Sequence, residues 1–291
     1  MTVLERTETL LPGPAQGLAG VLGADDLRCA AMDPLPLMWH WVYLLERPAT
    51  AQLGMDGHPS SGMPAPPGEG MRRMFAGGEV RIQRPLYIGR DATRRTEIVD
   101  RREKQGRSGP LTFVTVQHSI LQDGETAVLD RQDIVYLPDR SRTDSPSTTL
   151  GGGSKPAGQA RPDDREDADW AHDVYQPEQP TTRTLFQFSA LTYNAHRIHY
   201  DNDYARDVEG YPGLVVHGPL QALYLAEAMR RWCRSSGRPA PGSCRYRLLA
   251  PLFLGEPMRL VLAASGDTVR TEVRTADRVT AAASFSGGMR S

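Results

Sequence analysis

Between residues 79 and 137, and again between 244 and 286, short runs of alternating apolar and polar residues are separated by turn-forming residues. This is the pattern of consecutive antiparallel strands. The first series predicts strands near 79–88, 93–100, 111–121 and 126–137, and the second near 244–253, 257–264, 268–275 and 278–286. Alternation is clearest in Phe113-Val-Thr-Val-Gln-His-Ser-Ile120, which puts Val114, Val116, His118 and Ile120 on one face. Asp123-Gly124 and Ser265-Gly266-Asp267 read as hairpin turns. A different period governs Leu220 to Trp232. Leu220, Leu223, Tyr224, Leu225, Ala226, Ala228 and Met229 cover most of a helix's circumference, and Pro219 suits its first position. That helix is predicted to be buried nearly all round, wrapped by a curved sheet, with Glu227 and Arg231 at a wetter C-terminal end. Leu185 to Ala190 reads as one more strand.

The two series repeat. Arg81-Ile-Gln-Arg-Pro85-Leu-Tyr-Ile-Gly89 matches Arg247-Leu-Leu-Ala-Pro251-Leu-Phe-Leu-Gly255 with Arg, Pro and Gly at identical spacing. A duplicated domain is the economical reading. Between the series, Pro138 to Asp169 is dense in Gly, Pro, Ser and charge, with almost no large apolar residue. Such a segment buries too little surface to offset its ordering entropy, so a flexible linker is expected. The predicted organisation is an N-terminal domain over 1–137, a linker over 138–169 and a C-terminal domain over 170–291.

The 291 residues suit two domains, and 39% hydrophobic with 24% charged residues suits packed cores. A net charge of -1, from 34 basic and 35 acidic side chains, gives no electrostatic reason to expect nucleic acid or an anionic membrane as partner. Cys29, Cys233 and Cys244 show no disulfide or metal spacing and suit a reducing compartment. Neither a signal peptide nor a membrane-spanning run is read, so a cytoplasmic protein is expected.

Candidate chemistry concentrates in one stretch. Leu191-Thr-Tyr-Asn194-Ala-His196-Arg197-Ile-His199-Tyr-Asp201 packs an amide, two imidazoles, a guanidinium and a carboxylate into a short span. It precedes His217-Gly218-Pro219 at the entry to the apolar helix, where free N–H groups and the helix dipole favour a negatively charged oxygen. Each residue also has a plainer reading. His199 reads as a satisfied core histidine, Asn194 as a turn cap, and Gly218 as a helix-start residue. His196, Arg197 and His217 read as structural residues that also stand as candidates for substrate contact. His196-x-x-His199 with Asp201 lacks the spacing of helical zinc motifs, so no metal is expected. His40 and His118 read as packing residues, and no second catalytic centre is expected in the first half.

Phe188-Ser-Ala-Leu-Thr-Tyr-Asn-Ala-His-Arg-Ile-His-Tyr-Asp201 with Gly210-Tyr-Pro-Gly-Leu-Val-Val-His-Gly-Pro-Leu220 resembles the MaoC-like hot-dog hydratases. The nearest branch is that of 3-hydroxyacyl-thioester dehydratases and mesaconyl-CoA hydratases. Trp39-His-Trp41, Asp56-Gly-His-Pro59, Arg72-Arg-Met-Phe-Ala-Gly-Gly78 and Gly106-Arg-Ser-Gly-Pro-Leu111 resemble its degenerate N-terminal hot-dog domain. The resemblance implies an α+β double hot-dog fold, in which two antiparallel sheets each wrap a central helix, with catalysis in the C-terminal half. It implies a hydro-lyase acting on an acyl-CoA or acyl carrier protein thioester without a cofactor, in a chain able to form homodimers. His199 would move the proton, Asn194 would hold the water, and the Gly218 N–H would bind the thioester oxygen. The wider family carries Asp where this chain has Asn194, which shifts acid–base work onto His199. A catalytically silent thioester-binding subunit and a hot-dog thioesterase are the alternatives.

Overall fold

A computed structural model of the chain describes residues 3–64, 71–106, 109–138, 175–266 and 268–288. The expected linker, 138–169, lies outside the described residues apart from Pro138. The elements run β1 (Leu4–Thr9), α1 (Pro12–Leu22), β2 (Met71–Ile82), β3 (Asp91–Gly106), β4 (Gly109–Gln122), β5 (Glu125–Pro138), α2 (Thr182–Thr192), α3 (Gly218–Ser235), β6 (Pro241–Leu248), β7 (Arg259–Ser265), β8 (Thr268–Arg274) and β9 (Val279–Gly288). The strands pair antiparallel in the order β1-β3-β4-β5-β2-β6-β9-β8-β7, so the sheets of the two halves join edge to edge through β2 and β6. No described helix is long and apolar enough to cross a membrane.

The strands predicted in the two repeated series are all present, with shifted ends. The stretches 79–88 and 244–253 leave the ladder before their prolines, because Pro85 and Pro251 have no N–H to give it. In both halves the chain then folds back identically. Gln83 and Arg84 donate to the Ala127 carbonyl, while Leu249 and Ala250 donate to that of Thr280. The Leu35 N–H bonds Leu86 O at 2.7 Å as Val216 bonds Leu252 O at 2.8 Å, and Ile88 bonds Asp33 O as Leu254 bonds Leu214 O. Gln83 and Leu249, Arg84 and Ala250, Leu86 and Leu252, and Ile88 and Leu254 are each 166 positions apart, the spacing of Arg81 and Arg247. Gly89 (φ 84°) and Gly255 (φ 88°) close the repeat in the left-handed region that favours glycine. At the seam Arg81 faces Ser243 and Arg247 faces Gly77, two pairs that exchange when the halves are exchanged. A pseudo-two-fold axis therefore passes beside Glu79 and Arg245, which form a salt bridge at 3.2 Å.

Beyond the shared loop the halves differ. Past Val216 the chain enters α3, which packs against β6, β7, β8 and β9 and buries Leu220, Leu223, Tyr224, Leu225 and Met229. Past Leu35 no α-helix follows before β2 among the described residues, and besides a 3₁₀ turn at Thr50–Gln52 the chain forms the 3₁₀ turn Trp39–Val42. Trp39 is fully buried there, while His40 and Trp41 bond the buried Asp130 on β5 at 3.1 and 2.8 Å. The first half instead carries α1, packed on α2, on α3 and on that turn.

Two expectations are corrected. Leu185 to Ala190 is not a strand but the middle of α2. Thr181 caps it by accepting the Thr184 N–H, and Leu185 and Phe188 point inward at helical spacing while Phe186 is exposed. Glu227 is not at a wet helix end. It is buried, and it is neutralised by Arg230 and Arg231 at 2.7 Å each. Arg230 also bonds Asp26 just beyond α1, so one buried carboxylate organises a tie between helices from both halves.

Candidate active site

The first catalytic candidate is positioned by the end of α2. Tyr193 adopts a left-handed conformation (φ 51°), and the Asn194 N–H closes the helix on the Ser189 carbonyl at 2.9 Å. Asn194 Oδ1 then accepts the His196 N–H at 2.9 Å, an Asx turn. With Oδ1 committed, the amide offers a substrate its Nδ2 donors.

His199 is buried, and its Nδ1 lies 2.7 Å from the Val215 carbonyl oxygen. A carbonyl only accepts, so Nδ1 carries the hydrogen and the neutral ring keeps its lone pair on Nε2. Burial pushes the imidazole down to about 4, against the opposing pull of the Val215 bond and with some help from His58. His199 is thus a neutral base at physiological pH.

The His199 ring stacks on His217 at 3.6 Å between centroids, with planes 20° apart. His217 is the residue before α3, so the stack sets the base beside a helix N-terminus. Its Nε2 bonds Ser189 Oγ at 2.9 Å, while its buried Nδ1 has no hydrogen-bond partner. Burial drives its pKa well below the ordinary histidine range. Gly218 opens the helix, and a β-carbon there would meet Leu248 Cδ1 at 2.2 Å. The glycine lets the start of α3 pack against Leu248, and the first N–H groups of the helix have no intrahelical acceptor.

The N-terminal half contributes residues that sequence reasoning assigned no role. Gly57 (φ 89°) rests on the Ala195 carbonyl so closely that a β-carbon would lie 1.8 Å from its oxygen. The Arg197 N–H bonds Asp56 O at 2.8 Å, and Arg197 Nη1 bonds Met55 O at 3.2 Å. This docking stacks His58 on His196 at 3.9 Å, and His196 meets His199 edge-on at 5.4 Å. Asp56 Oδ2 accepts from His58 Nδ1 at 2.9 Å. Burial raises the Asp56 carboxyl, but the bonds and charge of His58 outweigh it and hold it below its usual value. Burial, reinforced by His58 and His199, pushes His196 far below the ordinary range. The sequence signal for these residues is the family match at Asp56-Gly-His-Pro59, which by itself carries no role.

Ligand atoms of Asp56, His58 and His196 lie within 4.8 Å of one another. Imidazoles that share an ion spread outward from it, whereas these rings lie face to face, tilted by 35°. The Asp56–His58 contact is already a hydrogen bond. The arrangement is a hydrogen-bonded pair stacked on a neutral ring.

Arg197 is fully engaged. Its guanidinium bonds Asp201 at 2.7 and 3.0 Å and lies 4.0 Å over the Tyr204 ring. The trailing acid of the motif therefore anchors Arg197.

The family model for hydroxyacyl-thioester dehydratase type 2 matches residues 38–254. The chain belongs to the hydroxyacyl-thioester dehydratase type 2 family. As a member of that family it is a hydro-lyase. The mesaconyl-C(4)-CoA hydratase of Chloroflexus aurantiacus is 42% identical over 252 residues, covering 86% of this chain and 82% of the relative. The mitochondrial hydroxyacyl-thioester dehydratase type 2 of Schizosaccharomyces pombe is 35% identical over 88 residues, 30% of this chain and 29% of its own. A MaoC-like dehydratase superposes with a TM-score of 0.66 at 16% identity, covering 99% of this chain and 98% of that one. A Mycobacterium tuberculosis protein described as a double hot-dog superposes at 0.56 with 18% identity, covering 99% and 95%. At such identities the likeness establishes the fold, and this dehydratase-family chain is an α+β double hot-dog.

Proposed function

We propose that the chain interconverts a 2-enoyl and a 3-hydroxyacyl thioester of coenzyme A. The thioester oxygen binds at the Gly218 N–H, where the start of α3 stabilises the charge of an enolate. Asn194 Nδ2 donates to the oxygen of the attacking water. His199 Nε2 takes the proton that this water releases, and returns it when the reaction runs backwards. Addition of water to an activated alkene involves no net oxidation, so no redox cofactor enters.

The observation that carries the proposal is the state of His199: neutral, locked by Val215 into the tautomer with a free Nε2, and stacked beside the entry to α3. His217 supports that geometry through Ser189, and Arg197 through its hold on the Met55–Asp56 backbone. Because a relative 42% identical over 86% of this chain is named mesaconyl-C(4)-CoA hydratase, that thioester is the first to test, beside crotonyl-CoA and the same acyl groups on carrier protein. Incubation with the purified chain is expected to bleach the enoyl absorbance, with CoA esters turning over faster than carrier-protein esters. Release of free thiol without hydration would establish a thioesterase instead, and tight binding without turnover a silent subunit.

A further inference from the structure

The side chain of Asn194 is an amide, which transfers no proton. Hydration of an enoyl thioester moves two protons, one off the water and one onto the α-carbon. Within the motif stretch the only ionisable side chain suited to this is His199, because His196 is held neutral by its surroundings and Arg197 and Asp201 hold each other. The other half of the molecule brings an imidazole against His196, whose ring meets that of His199 edge-on. His58 is one-fifth exposed, stacks on His196, and has its Nδ1 fixed by the Asp56 carboxylate. Its Nε2 has no partner among the described residues. The loop that carries it is built for close approach, since the positive φ of Gly57 and its contact with Ala195 leave no room for a side chain.

Resting on the hydratase reading above, we propose that His58, oriented by Asp56, is the second proton-transfer residue of this centre and works at the α-carbon. In hydration His199 Nε2 removes a proton from water as its oxygen bonds the β-carbon, and the alkene electrons pass to the thioester as an enolate. The enolate then takes a proton from the His58 imidazolium at the α-carbon. His199 ends protonated and His58 neutral, and exchange with solvent resets both. In dehydration neutral His58 takes the α-proton and the His199 imidazolium protonates the departing hydroxyl. The Asp56 carboxylate faces the positive form of His58, as a carboxylate behind a catalytic imidazole does in hydrolytic triads. The catalytic centre is then shared between the halves, which explains why a first domain without an Asn-x4-His motif is nonetheless docked onto the second through its backbone.

The test uses the full chain and whichever CoA thioester it hydrates fastest. His58→Gln keeps a donor for Asp56 but carries no transferable proton. It is expected to retain the melting temperature and KM within about twofold and to lose about 10²-fold or more in kcat. The groups facing His58 are Asp56 on its own loop, His196 and His199 from the opposing loop, and Arg73 on β2, whose charge bears on His196. None of them is changed in this variant. His58→Ala is expected to be partly rescued by added imidazole, and His58→Gln is expected to stop exchange of the product's α-hydrogen with deuterated water. Wild-type kcat in His58→Gln would overturn the proposal. So would activity lost in step with melting temperature and not rescued by imidazole, which would make the pair a loop lock. Activity removed by a chelator and restored by zinc would assign Asp56, His58 and His196 to a metal and overturn it too. A wild-type chain inert on every thioester would instead overturn the hydratase reading, and this proposal with it.

Discussion

Asn194 differs from an aspartate by one NH₂ group, and the structure shows what that group is free to do. Oδ1 is spent on the His196 N–H, a bond that a carboxylate would make equally well. Asn194→Asp therefore preserves the turn and changes only the chemistry. It removes the Nδ2 donor and sets a negative charge where enolate charge develops, so turnover is expected to fall at least about tenfold with an unchanged melting temperature. Asn194→Ala loses both the donor and the turn and is expected to fall further. His199→Ala is expected to cost about 10²–10⁴-fold in kcat while leaving the fold intact. Wild-type hydration by a folded His199→Ala protein, read by loss of enoyl absorbance, would end the proposed mechanism. His199 and Asn194 were legible because their chemistry lies in one contiguous stretch with a recognisable spacing. Asp56 and His58 were not, since their importance arises from contact with residues far along the chain. Only the backbone freedom of Gly57 makes that contact.

At the level of elements, α3 carries the C-terminal half. Leu223 is completely buried, and an aspartate there would sit inside the wrapped sheet at a cost of roughly 3 kcal/mol or more, or accept a proton to avoid it. Leu223→Asp is expected to give insoluble chain or a large drop in melting temperature, and a soluble, stable variant would contradict the buried position of α3. The same helix shows where pattern reasoning stops. Its apolar circumference was plain in the sequence, but burial of Glu227 was not, because the arginines that neutralise it lie on its own helix and reach across to the other half, Arg230 to Asp26 and Arg231 to the Gly23 carbonyl. In α2 the apolar residues Leu185, Phe186 and Phe188 satisfy short-range alternation as readily as a helical face. The Thr181 cap and the buried Leu185–Phe188 pair decide for the helix, and a six-residue window is too short to separate the two periods. Glu227→Ala would remove the buried carboxylate that Arg230 and Arg231 share, leaving Arg230 paired with Asp26 alone. It is expected to lower the melting temperature and to loosen α1 from α3, visible as faster amide exchange in α1.

Over the whole molecule, duplication left two hot-dog halves with different tasks but one shared electrostatic habit: histidines kept neutral by burial. His199 in one half and His118 in the other are both pushed down to about 4, and His196 and His217 also lie below the ordinary range. An unfolded chain binds protons on these rings as pH falls through about 6.5, while the folded chain does not until about 4. Between those limits the unfolded state holds more protons, so stability rises with pH and is lost on acidification, by up to about 1.4 kcal/mol per pH unit for each histidine. The lowered carboxylates act in a different window. Asp26, held down to about 2 first by its bond to Arg230, contributes stability that is lost only as pH falls from about 4 towards 2. The melting temperature is therefore expected to be flat above pH 7 and to fall by about 10 °C or more between pH 6.5 and 5. His118 separates folding from catalysis in this experiment, because it lies on β4 with its Nδ1 on Thr96 Oγ1 and touches none of the histidines around His199. His118→Gln keeps a hydrogen-bonding group at that position and removes one titrating ring. The acid slope should flatten by about the share of one histidine, while hydration at pH 7.5 stays at the wild-type rate. A melting temperature independent of pH down to 5 would mean that the rings titrate alike in the folded and unfolded chain, and that burial is not what keeps His199 neutral.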